Sequence, residues 1–99
     1  MAKLIYHSSA LEEKNKILSE FPKYSEFFDE LEKDIKFSPE FGFTESTMLE
    51  NGKIIQCYKK RIMMKLFSGR IHYESKQLSL LYFFNNKIIY IFKIYISVG

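Results

Sequence analysis

The sequence predicts an α+β fold in which two helices pack on one face of a mostly antiparallel β-sheet. Three observations support this prediction: amphipathic helical patterns in the first half, β-branched and aromatic runs in the second half, and tight-turn signals between those runs. The 99 residues suffice for one domain, residues 1–99, with a single core.

The first strand and the first helix are predicted at the start of the chain. The short run from Lys3 to His7 is rich in β-branched and aromatic residues, which favours a strand. Ser9 to Glu12 has the spacing of a capping box and therefore predicts a helix start. This helix should end near Phe21, because Pro22 follows. Its predicted inward residues are Leu11, Leu18 and Phe21.

The second helix is predicted from about Lys23 to Lys36 and has the clearest period in the sequence. One apolar stripe recurs at helical spacing, and acidic residues cover the rest of the surface. A partner groove would use such a stripe, but packing on the sheet is the commoner arrangement. We therefore predict that the stripe is core; its members are Tyr24, Phe27, Phe28, Leu31 and Ile35.

Two hairpins are predicted after this helix. Residues 37–47 contain Pro39 and Gly42 and are typical of a loop. Asn51 and Gly52 then separate two β-compatible runs, which predicts a type I′ hairpin turn. The following strand should extend to about Phe67, and Ser68 and Gly69 indicate another turn.

The C-terminal hairpin, residues 78–98, is the densest apolar segment. Asn85 and Asn86 are predicted to form its turn because asparagine tolerates positive φ. Strict alternation predicts two faces for its second strand: one with Ile88, Tyr90, Phe92, Ile94 and Ile96, and the other with Ile89, Ile91, Lys93, Tyr95 and Ser97. A polar end on one face of this strand is where a site is expected.

Membrane insertion and secretion are not expected. Asn85, Asn86, Lys87 and Lys93 interrupt the apolar C-terminal segment, and each buried lysine would cost about 2.5–3.5 kcal/mol at mid-bilayer. The first residues lack the apolar run of a secretory signal, and the single cysteine, Cys57, cannot form an internal disulfide. We therefore expect a cytoplasmic protein.

Charge is distributed unevenly along the chain. Residues 1–50 carry six lysines and eleven acidic residues, whereas residues 51–99 carry nine lysines and arginines and a single acid, Glu74. Such a basic segment attracts polyanions. Nucleic acid is the partner that we expect first, and an acidic protein is the alternative. The cations expected to bind nucleic acid within this segment are Lys53, Lys59, Lys60 and Lys65.

The recognisable chemistry of the sequence is confined to this basic sheet segment. His7, His72 and Cys57 lack metal-ligand spacing, and no glycine-rich phosphate loop is present, so neither a metal nor a cofactor is expected. RNA cleavage through the 2′-hydroxyl needs cations and groups that move protons. Arg61 and Arg70 are the candidate catalytic cations. The candidate proton-moving residues are His72, Tyr73, Glu74 and Tyr95.

The order of elements, the size, the basic sheet and the run YESK followed by LLYFFNNKIIYIF resemble the RelE/ParE superfamily of toxins from bacterial toxin–antitoxin systems. The resemblance matches Tyr73, Lys76 and Lys93 to functional positions of that family, and adds Lys76 and Lys93 to the expected nucleic-acid-binding residues. It implies a toxin that either cuts messenger RNA on the ribosome or, in the ParE branch, poisons gyrase.

The resemblance and the basic sheet segment together lead to two classes of function. The first is a ribosome-dependent endoribonuclease, with an antitoxin protein and the ribosome or mRNA as partners. The second is a non-enzymatic interaction protein with the same fold, either a gyrase-directed toxin or a phage-encoded inhibitor of a host complex. A homodimer is an alternative assembly for either class.

Overall fold

The computed structural model describes residues 2–49, 51–67 and 73–98, and it has the predicted α+β fold. The five strands form one sheet in the order β1-β5-β4-β3-β2, in which only the β1–β5 pair is parallel. The predicted parallel pairing of the first strand through a helical crossover is thus confirmed. The elements are β1 (Lys3–Tyr6), α1 (Ser8–Glu20), α2 (Ser25–Phe37), β2 (Phe43–Met48), β3 (Ile54–Phe67), β4 (Tyr73–Asn85) and β5 (Ile88–Val98).

The first helix differs from its prediction in its cap and in its inward face. His7 is the N-cap, and its Nδ1 accepts a hydrogen bond from the Ser9 backbone N at 3.2 Å. The imidazole nitrogen of His7 thus takes the acceptor position that the capping-box pattern predicts for Ser9. Leu11 and Phe21 are 44% and 45% exposed, so their predicted burial is wrong. The stripe that faces inward does not show as an apolar period in the sequence, because it contains a small residue and a charged one. Its members are Ala10, Lys14, Ile17 and Leu18.

The second helix packs as predicted. Phe28, Leu31 and Ile35 are buried against the sheet, and Phe27 is partly buried at the margin of the same core. Tyr24 is also buried, but it lies in a short 3-10 turn, Pro22–Tyr24, just before α2. Apolar spacing alone located this stripe because helical periodicity places those positions on one face.

A partly buried charged group joins the two helices to β1. Lys14 Nζ lies 2.7 Å from Glu32 Oε2, and the Tyr6 hydroxyl donates to the same oxygen at 2.9 Å. Burial first, and the Glu32 carboxylate second, raise the pKa of Tyr6 far above its ordinary value. Tyr6 therefore stays protonated and keeps donating to Glu32.

The β2–β3 hairpin begins earlier than predicted. Residues 37–47 are not a continuous loop, because α2 extends to Phe37, a 3-10 turn covers Pro39–Phe41, and β2 starts at Phe43. Gly52 has φ +82° and its N donates to Leu49 O at 2.9 Å. That bond places Gly52 at the fourth position of the turn rather than at its centre, so the predicted type I′ register is shifted.

The β4–β5 hairpin has a turn and a bulge that correct its prediction. Asn86 and Lys87 have φ of 47° and 70°, whereas Asn85 is the last residue of β4 and pairs with Ile88. A register shift between Leu81 and Tyr82 leaves Phe92 without a partner in the pairing of β5 with β4. This β-bulge reverses the alternation of side chains, which strict periodicity cannot foresee. The core residues of β5 are Ile89, Ile91 and Ile94.

The C-terminal end of α2 is tied to the sheet by polar contacts. Lys60 is 7% exposed, and its Nζ donates to Asp34 O and Oδ1, both at 3.2 Å, and to Ser38 Oγ at 2.7 Å. A cation is favourable here because the carbonyls at the end of a helix lack intrahelical partners. Nearby, the buried Tyr82 hydroxyl donates to Pro39 O at 2.6 Å.

Within the described ranges, neither helix is long and apolar enough to cross a lipid bilayer.

Candidate nucleic-acid interface on the open face of the sheet

The sheet has two unlike faces. We call the face that contacts α1 and α2 the helix face, and the opposite one the open face. Because paired residues on neighbouring strands share a face, the registers assign every strand position. Arg61, Lys59 and Lys65 of β3 lie on the open face, while Tyr58, Lys60 and Met64 lie on the helix face. In the described part of the sheet, Lys59, Arg61 and Lys65 thus lie on the face that contacts neither helix.

The centre of the open face is a row of three residues on adjacent strands, which we call the central row. Arg61 of β3 pairs with Ser79 of β4, and Ser79 pairs with Tyr95 of β5. Directly opposite side chains have Cβ atoms about 5 Å apart, so Arg61 and Tyr95 flank Ser79 at about 10 Å from each other. Ser79 is 2% exposed, whereas Tyr95 is 42% exposed. The row therefore has a small buried centre between a guanidinium and a phenol.

A second row adds charge beside the central row. Lys59 pairs with Leu81, which pairs with Lys93, and on the other side Lys59 pairs with Phe43 of β2. Lys93 Nζ lies 5.5 Å from the centre of the Tyr95 ring, within the range of a cation–π contact. Lys59 Nζ lies 3.4 Å from Glu45 Oε2, a surface pair of small energetic value. Lys93 thus contacts the Tyr95 ring, and Arg61 lies in the same row as Tyr95.

The open face is concave. Lys93 Nζ on β5 lies 3.5 Å from Thr47 Oγ1 on β2, although β4 and β3 lie between these strands. In a flat sheet, three strand spacings would separate the backbones of β5 and β2 by about 14 Å. Thr47 also lies four residues, or about 13 Å, along the strands from the row of Lys93, so the two side chains could not bridge the combined distance. The sheet must therefore curl, which brings its outer strand towards β5. The curl and the flanking side chains also explain how Leu81 and Cys57, both on the open face, are only 1% and 4% exposed.

Burial decides the chemistry of Cys57. Its Sγ donates to Glu45 O at 3.5 Å, and burial raises the pKa of its thiol. A raised pKa disfavours the nucleophilic thiolate, so Cys57 is a packing residue here. Among the described residues, no group of three or more histidine, cysteine or acidic side chains is placed to hold a metal ion.

Two of the predicted nucleic-acid-binding lysines lie away from the open face. Lys60 is on the helix face, where its ammonium group contacts Asp34 and Ser38, so we exclude it from the interface. Sequence adjacency to Lys59 and Arg61 is misleading because successive strand residues point to opposite faces. Lys76 pairs with Met64 in the helix-face register, and its Nζ lies 3.8 Å from Glu74 Oε1.

The other predicted residues fall at different distances from the central row. Lys65 lies on the open face, but four residues along β3 from Arg61, or about 14 Å. Lys53 is exposed beside the β2–β3 turn. Arg70 and His72, like the predicted turn at Ser68 and Gly69, lie outside the described residues. The backbone of Tyr73 pairs with Phe67, about 20 Å along the strand from the Arg61 pairing.

Sequence analysis missed two residues of the open face. Ser79 was overlooked because its place between Arg61 and Tyr95 depends on strand register, which short motifs do not encode. Phe43 was assigned to a loop, yet it begins β2, and the Arg61 guanidinium lies 5.2 Å from its ring centre. The available signal for Phe43 was the alternation of residues 43–48, which is weak because that strand is largely polar.

The charge asymmetry of the two halves of the chain becomes an asymmetry of the two sides of the molecule. Most acidic residues lie in α1 and α2, on the far side of the sheet from the central row. On the described part of the open face, Glu45 is the acid that accompanies five strand cations: Lys3, Lys59, Arg61, Lys65 and Lys93. A polyanion would therefore be attracted to the open face and repelled from the helices.

Comparison of the chain with known protein families, with curated proteins and with solved structures found no match.

Proposed function

We propose that the protein is a cytoplasmic RNA-cleaving toxin of the RelE/ParE type, which binds an RNA backbone on the open face and is neutralised by an antitoxin. The observation that carries this proposal is the central row, in which Arg61 and Tyr95 flank the buried Ser79 on an uncovered concave surface. The order of elements that suggested the family supports it further.

The central row matches the requirements of RNA cleavage through the 2′-hydroxyl. In that reaction the 2′-oxygen attacks the adjacent phosphorus and the bond from phosphorus to the 5′-oxygen breaks. A proton must leave the 2′-hydroxyl, another must reach the departing 5′-oxygen, and negative charge develops on the phosphoryl oxygens. Arg61 and Lys93 would stabilise that charge, and the Tyr95 hydroxyl would move one proton. His72 and Tyr73 stay predictions for the second proton transfer.

Cleavage is tested by brief expression in bacteria followed by mapping of new RNA 5′ ends. The wild-type protein should arrest growth and generate new ends, and Tyr95→Phe should reduce cleavage about 100-fold by removing a proton-moving group. Tyr90→Phe is a matched control, because Tyr90 lies on the same strand but beside the hairpin turn. Growth arrest without new RNA ends would contradict a nuclease and favour the gyrase-directed toxin or host-complex inhibitor.

Binding is tested separately from cleavage. Single-stranded RNA should bind with an affinity that falls steeply with salt, because each phosphate contact releases a counterion. Arg61→Gln combined with Lys93→Gln should lower the slope of log K against log salt by about 0.7 for each lost contact. The matched control removes two lysines of α2, Lys33→Gln with Lys36→Gln, and should leave the slope unchanged. Equal slopes in the two double variants would remove the open face from the mechanism.

A further inference from the structure

We propose that Phe43 is a nucleobase-stacking residue of the same interface, so that a base lies on its ring while the attached phosphate contacts Arg61 or Lys59. This inference rests on the proposed function. It adds a residue that contacts a base, whereas the cations contact the charged backbone. The supporting observations are the exposure of Phe43, its neighbours and the close packing of the backbone just before it.

The exposure of Phe43 is the first observation. Phe43 lies on the open face at the outer strand of the sheet, directly opposite Lys59, and its side chain is 63% exposed. Burying an apolar ring is favourable, so leaving the Phe43 ring in water forgoes that gain. A base stacked on the ring would recover part of it.

The neighbours of Phe43 are the second observation. The Arg61 guanidinium carbon lies 5.2 Å from the ring centre, and Lys59 is the cross-strand partner. Sites for single-stranded nucleic acid combine an aromatic ring for the base with adjacent cations for the backbone. Arg61 also belongs to the central row, so a base on Phe43 would belong to a nucleotide next to the phosphate held there.

Other exposed phenylalanines lack this placement. Phe37 and Phe41 are 91% and 78% exposed, but they lie at the end of α2 and in the following 3-10 turn rather than on the sheet. Phe67 is at the far end of β3, six residues or about 20 Å from Arg61. Phe21 is 45% exposed, but it lies at the end of α1. Among the described residues, Phe43 is therefore the exposed phenylalanine adjacent to the central row.

The backbone before Phe43 is held in place, which is the third observation. A Cβ atom at Gly42 would lie 2.5 Å from the Tyr82 hydroxyl oxygen and 3.2 Å from Tyr58 Cβ, so glycine permits this close approach. The Tyr82 hydroxyl is itself fixed by its hydrogen bond to Pro39 O. Phe43 thus projects from an anchored strand, which lowers the entropic cost of binding a base.

The test compares two ligands of equal length and charge, an oligoadenylate and an abasic ribose-phosphate strand, by fluorescence anisotropy. Phe43→Ala should weaken oligoadenylate binding about 5- to 100-fold, because loss of a stacking ring removes its contact with the base. The same variant should leave abasic binding and the salt slope unchanged, and Phe43→Tyr should retain wild-type affinity. Arg61→Gln, in contrast, should weaken both ligands and lower the slope.

The outcomes separate this inference from the proposed function. If Phe43→Ala weakens both ligands equally, or neither, stacking on Phe43 is overturned while RNA binding by the open face stands. If the wild-type protein binds neither ligand, RNA binding is wrong and the stacking role is wrong with it. Circular dichroism of Phe43→Ala verifies that the variant is folded.

Discussion

The helix face and the open face are built from alternate residues of the same strands, yet they differ in chemistry. On β4, Leu78, Leu80 and Tyr82 are fully buried under the helices, while the intervening Ser79 and Leu81 belong to the face that carries Arg61 and Lys93. Substitutions on the helix face should lower stability, and substitutions on the open face should lower RNA binding or cleavage. The comparison also shows that a charged residue in the sequence need not lie at the surface. Lys60 is buried, although its sequence neighbours Lys59 and Arg61 are on the open face.

The largest expected effect is on the helix face. Phe28→Ala should lower the free energy of unfolding by about 3–5 kcal/mol, because it removes a ring that is 0% exposed and leaves a cavity against the sheet. Urea denaturation measures the loss. Phe37→Ala, which truncates a ring that is 91% exposed, should change stability by less than about 0.5 kcal/mol. Similar losses in the two variants would contradict the assignment of the core.

The second effect distinguishes two neighbouring lysines. Lys60→Ala should cost about 1–3 kcal/mol of stability, since Asp34 O and Ser38 Oγ lose their donor and the buried stem is removed. Lys59→Ala breaks only a surface pair with Glu45 and should cost less than about 1 kcal/mol. The order should reverse for RNA binding: Lys59→Ala should lower the affinity for RNA, and Lys60→Ala should leave it unchanged. Loss of RNA affinity in a folded Lys60→Ala variant would break the division between the faces.

The third effect is a pH dependence on the helix face. Burial, and secondly the Asp34 carboxylate, raise the pKa of Tyr82 well above its ordinary value of 10.0. The folded protein then binds a proton that the unfolded chain releases above about pH 10, so stability falls as pH rises past that value. One such group contributes a slope of up to about 1.4 kcal/mol per pH unit. Tyr82→Phe should show a shallower decline between pH 10 and 11 by urea denaturation, and an identical decline would refute the burial effect.

The smallest effect concerns the turn that carries the outer strand of the open face. Gly52→Ala should cost about 1 kcal/mol, because Gly52 has φ +82°, a conformation that an alanine adopts with strain. Gly52→Asn should cost less, since asparagine tolerates this region. Thermal unfolding of the two variants measures the difference. Equal stability of Gly52→Ala and the wild type would mean that the turn relaxes without strain.

Local patterns predicted much of the fold. The stripe of α2, the two hairpins and the parallel pairing of β1 follow from helical periodicity, turn residues and the need for a crossover. The same patterns failed where an interaction crosses between elements. The inward Lys14 of α1 is explained only by Glu32 of α2, and the shift of side chains along β5 only by the bulge at Phe92.

The candidate site was predicted in its residue types but not in its arrangement. Arg61 and Tyr95 were chosen for their chemistry, and the register places them on one row with Ser79 between them. Lys60 was chosen for its charge, and tertiary contacts bury it. The place of Phe43 in the candidate site depends on the curl of the sheet and on its contact with Arg61. Neither the curl nor this contact can be seen in a linear pattern.

By itself, the sequence determined the α+β class, the position of the helical core stripe and the basic character of the C-terminal half, because these depend on spacing and composition within single segments. The tertiary structure alone decided which cations share a face, which residues form the central row and how the open face becomes concave. Those properties depend on strand register, on one bulge and on contacts between residues far apart in the chain. A shift of register by one residue would have moved every one of these side chains to the opposite face.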